Sequence, residues 1–331
     1  MNLFSKLCTG VAAVGVMFGA GNLAHADASA DAGDFPNRPI TIVVPFPPGG
    51  TSDLMGRTMA KALSQRLGVS VVVDNRGGGG TLIGSQHVAR SAPDGYTLLL
   101  AATPHAINAS MYKNIPYDTK KDFYTVARLA ETPILLAVNA NSKVKTVADL
   151  TKEIKDQNGA VTYGSSGIGG SPHLTTALFL KAIGGKAVHI PYRGSNPAVM
   201  DLAAGRTTFV FDTLYLIMSQ VDTGKLRAIA QTGKERHPRA PNVPTMIEQG
   251  IPDFVVSSWF TLVAPGATPK SIIHKLNKAV NEALSDPETG NFLKQQGMII
   301  TGGSAEDGQA VLLREIDTWA EAVKLSGASI E

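Results

Sequence analysis

From Pro39 onward the chain alternates two hydrophobic rhythms. Short runs rich in β-branched and apolar residues, at 40–44, 69–73, 96–102, 133–139, 161–164, 187–190, 208–212 and 226–231, read as strands. Between them apolar positions recur at helical spacing. Leu54, Met55, Met59, Ala62, Leu63 and Leu67 predict a helix over 52–67, opened by Thr51 or Ser52. Further helices are expected to begin near Thr81, Thr146, Ser171 and Ser195, where Pro197 suits an early helical position. The last third differs: after VVSSWFTLVAP, three helical stretches follow at 269–285, 287–296 and 304–325. Strand and helix in alternation indicate an α/β fold with largely parallel sheets.

Composition narrows the class. The 331 residues suggest two domains of ordinary size, and 17% charged against 44% hydrophobic residues excludes general disorder. A net charge of +3, with basic residues dispersed among acids, argues against nucleic acid as a partner. Thirty-four glycines and nineteen prolines without a three-residue period imply many ordered turns. Two layouts fit: two successive domains, or a chain that leaves domain one at PILLAVN and returns through VVSSWFTLVAP, making a hinge and an interlobe cleft.

The N-terminus reads as an export signal over 1–26. Lys6 supplies the charged region, Val11–Ala20 the apolar run, and Ala24-His25-Ala26 the small-x-small cleavage site. The apolar run is shorter than the ~20 residues of a spanning helix. Cys8, the only cysteine, falls inside this segment, so the mature chain has no thiol for a disulfide, a nucleophile or a metal. A flexible acidic leader at 27–34 follows, and the expected compartment is the periplasm.

Chemistry is expected in the loops after strands, where α/β sheets present helix N-termini to ligands. The loop 45–53, PFPPGGTSD, and the loop 165–173, SSGIGGSPH, are glycine- and hydroxyl-rich anion cradles. The loop 191–197 adds Arg193, and ATPH at 102–105 places His105 directly after a strand. One helix end contributes only ~0.3–1 kcal/mol toward an anion, so two facing cradles are required for micromolar binding at about 8 kcal/mol. Catalytic motifs fail: Ile168 occupies the last glycine of a G-x-S-x-G pattern, no P-loop or H-E-x-x-H is present, and no histidine pair has metal-ligand spacing. Asp53 and Asp212 are more readily explained by helix-dipole and loop-orienting roles than as general bases. An exported hydrolase using Ser166 and a nearby histidine stays open as the rival reading.

RPITIVVPFPPGGTSD, VVVDNRGGGGTLIGSQHVARSAPDGYTLLL, IPYDTKKDF, YGSSGIGGSPHL, VHIPYRGSNPAVMDLAAG and the run from VPTMIEQG to SSWFTLVAP resemble the extracytoplasmic solute receptors of tripartite tricarboxylate transporters, the Bug family. The resemblance spans the mature chain in order. It implies a two-lobed periplasmic binding fold, type II-like, each lobe a mixed, mainly parallel sheet flanked by helices, with the ligand cleft between. Lobe one would comprise 35–134 and 258–331, and lobe two 135–257. The implied function is capture of a small organic carboxylate, a dicarboxylate and possibly an aromatic one, for a membrane permease, by a monomer with no cofactor, no metal and no catalytic residue. A receptor presenting its solute to a sensor kinase is the alternative partner. Phe46, Gly49, Gly50 and Thr51 would face Ser165, Ser166 and Gly169 around one carboxylate, with His105, Arg193 and Asp212 toward the distal end. Ile168 departs from a commonly polar position and favours an apolar ligand body, while Arg193 suggests a bidentate grip on a distal anion.

Overall fold

The structure is a computed structural model that describes residues 33–326. The expected signal segment 1–26 and all but the last two residues of the 27–34 leader lie outside the described residues. The chain runs through β1 (Ile40–Val44), α1 (Thr51–Leu67), β2 (Val71–Asn75), α2 (Leu82–Ala89), β3 (Thr97–Ala102), α3 (Thr103–Met111) and β4 (Phe123–Asn139). It continues with α4 (Val147–Asp156), β5 (Thr162–Ser165), α5 (Ser171–Ile183), β6 (Val188–Pro191), α6 (Ser195–Ala203), β7 (Phe209–Thr213), α7 (Leu214–Val221) and β8 (Leu226–Gln231). It closes with β9 (Ser257–Pro265), α8 (Lys270–Ser285), α9 (Pro287–Gln295), β10 (Ile299–Ile300) and α10 (Ala305–Ser326).

The strands form one continuous sheet in the order β2-β1-β3-β9-β4-β7-β5-β6, with β8 and β10 also pairing to β4. Its outer strands are parallel: β1 to β2 and β3, and β5 to β6 and β7. The central strands β9 and β4 run antiparallel to their neighbours. β4 carries the architecture. Its first stretch, Phe123–Pro133, pairs with β9, and from Ile134 onward it pairs with β7 and β8 instead. Pro133 sits at the change of partner, where a residue without an N–H interrupts a ladder at least cost. There Ile134 N donates to Thr232 Oγ1 at 3.0 Å, Thr232 N donates to Ile134 O at 2.9 Å, and the Thr232 hydroxyl donates to Val256 O. The chain thus crosses between the two halves of the sheet along β4 and again at Val256–Ser257.

Both faces of each half are covered, so the strands read as continuous apolar runs. In β1, Ile42 and Val44 face a core closed by Met55, Met59 and Leu63 of α1 and by Ile273, Leu276 and Val280 of α8, while Val43 faces the opposite cluster with Ile107, Leu312, Ile316 and Trp319. In the second half, Leu136 and Val138 pack toward Leu150 and Ile154 of α4 and Phe179 of α5, while Leu135 and Ala137 pack toward Leu202 of α6 and Ile217 of α7. The result is the two-lobed, helix-flanked α/β fold.

Several elements differ from their sequence-based expectation. β2 lies two residues later than 69–73, because Gly68 ends α1 in a left-handed conformation and the register Ile40↔Val71 fixes the strand behind it. The strand expected at 133–139 begins ten residues earlier, since FYTVARLAET has a helix-compatible pattern locally and is extended by pairing with β9. Residues 102–105, expected as a loop, are the end of β3 and the first turn of α3, and α7 follows β7 without an intervening loop.

Candidate functional site

Where the two halves face each other, the segments that follow β1, β3, β5, β6 and β7 converge on a cavity. Its walls include Phe46, Pro47, Gly50, Thr51 and Ser52 from the first loop, Ala102 and Pro104 at the start of α3, and Ser166, Ser171 and Pro172 around the start of α5. Arg193 to Pro197 enter from the start of α6, Asp212 and Thr213 from the end of β7, and Ser258 and Phe260 from β9. The free volume is about 70 Å³, room for a carboxylate group and a few waters at ~10–15 Å³ of accessible space each.

The lining is a set of helix beginnings. α1, α3, α5, α6 and α7 all contribute residues of their first turn or their N-cap, and none of the five is closed by a side-chain cap bond. Away from the cavity α4 carries a full capping box between Thr146 and Asp149 and α9 is capped by Asp286, while α8, which begins after Pro269, has no side-chain cap either. The first intrahelical bonds at the cavity run from Leu54 N to Gly50 O and from Leu174 N to Gly170 O, which leaves the preceding first-turn amides without a helical acceptor. Such ends favour an anion. Arg193 reinforces them: it lines the cavity and has no carboxylate partner among the described residues.

Asp53 is a brace for this arrangement. Its carboxylate accepts from Gly49 N at 2.9 Å, Arg57 Nε at 3.0 Å and Asn75 Nδ2 at 2.9 Å. Burial opposes ionisation, yet these donors hold its pKa below the ordinary carboxylate value. Asp212 is the contrasting case. It is 1% exposed, accepts from Thr213 N at 2.7 Å, and burial pushes its pKa up to about 6 despite the bonds from Ser195 and Thr213.

The halves touch across the cavity. Thr51 Oγ1 lies 2.6 Å from Thr213 Oγ1. Gly49 has φ +88°, and a Cβ there would meet Asn196 Nδ2 at 2.7 Å; at Gly194, φ +105°, a Cβ would stand 3.4 Å from Pro47. These two glycines admit both the left-handed backbone and the close approach of opposite loops.

Of the eleven site residues expected from sequence, Phe46, Gly50, Thr51, Ser166, Arg193 and Asp212 line this cavity. Gly49 lies beside it, and Ile168 lines an adjoining space. Ser165 and Gly169 do not line it. The Ser165 hydroxyl turns inward to His189 Nε2 at 2.6 Å and the Gly169 amide donates to His173 Nδ1 at 3.3 Å, so both hold the loop rather than face the cleft. His189 is stacked between Tyr163 and His173, with centroids 4.8 and 4.2 Å away. His105 is corrected most clearly: it begins a helix rather than a loop, is 2% exposed, and its ring packs edge-on against Phe123 at 4.6 Å and stacks on Tyr117, away from the cavity. Sequence reasoning named Ser52 and Ser195 only as helix-opening residues and did not place them, Thr213, Ser258 or Phe260 in the site. Four are hydroxyl residues at helix starts or beside the chain crossing, and Thr213 was hidden because α7 was not foreseen. Among the described residues no group of three or more His, Cys, Asp or Glu side chains gathers as a metal site, and no helix is long and apolar enough to cross a membrane.

Comparison with known proteins agrees with this geometry. A family model described as tripartite tricarboxylate transporter family receptor matches residues 55–327. Protein BugT of Bordetella pertussis is 36% identical over 323 residues, covering 97% of this chain and 98% of BugT. The structure of Rpa4515 of R. palustris with adipate superimposes with a TM-score of 0.86 at 36% identity, covering 89% of this chain and 99% of that one. MatC of Rhodopseudomonas palustris with bound malate gives a TM-score of 0.83 at 28% identity, covering 87% and 100%. The chain belongs to the tripartite tricarboxylate transporter receptor family, to which its cleft of open helix ends is suited.

Proposed function

We propose that this protein is a periplasmic receptor that closes on a small organic dicarboxylate and delivers it to a tripartite membrane permease. The observation that carries this reading is the convergence of five helix N-termini without side-chain caps, joined by the unpaired Arg193, on one cavity. At up to ~2 kcal/mol for each partly buried end, and with a charge-assisted contact to Arg193, such a set reaches the ~8 kcal/mol of micromolar binding, which a single cradle does not. Relatives recorded with adipate and with malate support a carboxylate as the cargo. Residues 35–134 and 258–331 are taken as one lobe and 135–257 as the other, hinged at Pro133 and Val256. Export with cleavage near Ala26 gives access to the permease.

A receptor is favoured over the hydrolase reading because the close serine–histidine contact is made by Ser165, which is 1% exposed, with the half-buried His189, and neither residue lines the cavity. The nucleophile that such a reaction requires would have to stand exposed.

Calorimetric titration of the mature protein against a panel of mono-, di- and tricarboxylates tests the proposal. Saturable micromolar binding of at least one diacid, weakened tenfold or more by Arg193→Ala with the melting temperature unchanged, is the expected result. Absence of saturable binding throughout the panel overturns it.

A further inference from the structure

The link between β2 and α2 is more constrained than a reversal of direction requires. Four consecutive residues, Gly78, Gly79, Gly80 and Thr81, have positive φ, and the last is a threonine at φ 86°. A β-branched residue in that region is strained and persists only where its surroundings over-determine it. Here the restraint comes from α3. Asn108, 0% exposed, donates from Nδ2 to Gly80 O at 2.7 Å and to Thr81 Oγ1 at 3.0 Å, and the Tyr112 hydroxyl donates to Gly79 O at 3.1 Å. The roll of α3 is fixed in turn by His105, one turn before Asn108, whose ring packs against Phe123 and Tyr117. The run also meets the other half: a Cβ at Gly80 would stand 2.5 Å from the Tyr112 hydroxyl and 3.4 Å from Ile168 O. The loop that carries Ile168 is equally fixed on its own side, through Ser165 to His189 at 2.6 Å, Gly169 N to His173 Nδ1 at 3.3 Å and Gly194 N to Ser166 O at 3.2 Å.

We propose that Asn108 and Tyr112 are positioning residues of the closing movement: from behind the cleft wall they hold residues 78–81 as a preformed seat for the 165–170 loop of the other half. The inference rests on the reading of a receptor that closes on its cargo. Neither residue lines the cavity of helix ends or the space beside it, so both act on the balance between open and closed forms without touching the solute. If these two side chains did not hold them, three successive glycines would move freely in the open form, and closing would have to freeze the residues that lose most backbone freedom on ordering. With them, that loss is met when the first half folds, and closing joins two surfaces already built. The strain at Thr81 fits the same role, because relaxing it to negative φ re-aims the Gly80 peptide that Ile168 O meets.

The test is a distance measurement by electron spin resonance on the mature protein, which lacks Cys8 and so has no thiol of its own. Labels go on Lys152→Cys in α4 and Lys278→Cys in α8, exposed positions on opposite halves. Distances are recorded without ligand and with malate, adipate, benzene-1,4-dicarboxylate and citrate. The expected result is a shorter distance in the labelled parent with at least one acid, and a closed-to-open ratio about threefold lower in Tyr112→Phe, which removes one hydrogen bond of ordinary strength, with the melting temperature within a degree or two. Asn108→Ala should lower the ratio further. If that variant does not fold, Gly80→Asn with Tyr112→Phe decides: asparagine tolerates the left-handed backbone, the obstructing hydroxyl is gone, and the added side chain stands where Ile168 O must come, so the ratio should fall tenfold or more. A ratio equal to the parent's in Tyr112→Phe and in the double variant, or a loss matched by a fall of several degrees in melting temperature, overturns the positioning role while leaving the receptor reading in place. A parent whose distance no acid changes removes the receptor reading and this inference with it.

Discussion

Thr51 Oγ1 and Thr213 Oγ1, 162 residues apart in sequence, stand 2.6 Å from each other across the cleft. The first belongs to the opening turn of α1 and the second occupies the N-cap position of α7 without a side-chain cap bond, so this hydroxyl pair joins two anion-facing helix ends directly. Thr213 Oγ1 also reaches Asp212 Oδ1 at 3.3 Å, and so keeps a partner if Thr51 is changed. Thr51→Val is therefore expected to remove one bond with a net value of about 1 kcal/mol, to leave the melting temperature within a degree or two, and to weaken carboxylate binding about fivefold. Small-angle scattering should show a larger radius of gyration for the unliganded variant than for the parent. Equal radii and equal affinity would show that the pair does not hold the halves together.

Asp212 sets a pH dependence. Burial raises its pKa to about 6, so between pH 7 and pH 5 the cavity loses a negative charge that repels an incoming carboxylate. Affinity for a diacid ionised throughout that range should rise as pH falls from 7 to 5. In Asp212→Asn the affinity should be higher at pH 7 and flat over the same interval. The same group adds stability that is full below about pH 4 and is lost as pH rises through 6.

Three histidines, two buried and one half-buried, act in the opposite sense on folding. Burial pulls His105, His173 and His189 down to about 4, with His173 adding to the effect on His189. His105 and His173 each take up a proton on unfolding between pH 6.5 and 4, so stability falls across that window by about 1.4 kcal/mol per pH unit for each proton gained, and the solvent-screened His189 adds less. Thermal melts should show a falling midpoint from pH 6.5 to 4.5, with a shallower slope in His105→Phe, whose ring replaces an imidazole already packed against Phe123 and Tyr117. An unchanged slope would mean that His105 is charged in the fold.

Gly49 tests the closeness of the two halves. A methyl group there meets Asn196 Nδ2 at 2.7 Å on a backbone already at φ +88°. Gly49→Ala should cost about 1 kcal/mol of stability through the left-handed backbone and more than tenfold in carboxylate affinity through the separated loops. Asn196→Ala in the same chain should restore part of the affinity but none of the stability.

Much of this was legible because strand and helix rhythms are local. The strands at 40–44 and 226–231 and the C-terminal helices fall where periodicity put them, and the glycine- and hydroxyl-rich loops marked the cleft. What escaped was decided by partners distant in sequence. Residues 123–132 are extended because β9 lies beside them, and His105 turns into a core that includes Phe123. Ser165 was indistinguishable from Ser166 by sequence, since pairing with β6 decides which of the two ends the strand and which opens the loop. The one faces His189 and the other the cavity.

Because β4 serves both halves as one uninterrupted strand of 17 residues, neither half owns a complete sheet. Any parting of the jaws must flex a shared beam, weakest at Pro133, instead of slackening a tether. Its travel ends where peptide ladders would begin to tear. Severing the chain there would cut the one strand that both halves build around, flanked by β9 and β10 before Pro133 and by β7 and β8 after it, which makes this protein a poor subject for dissection into modules.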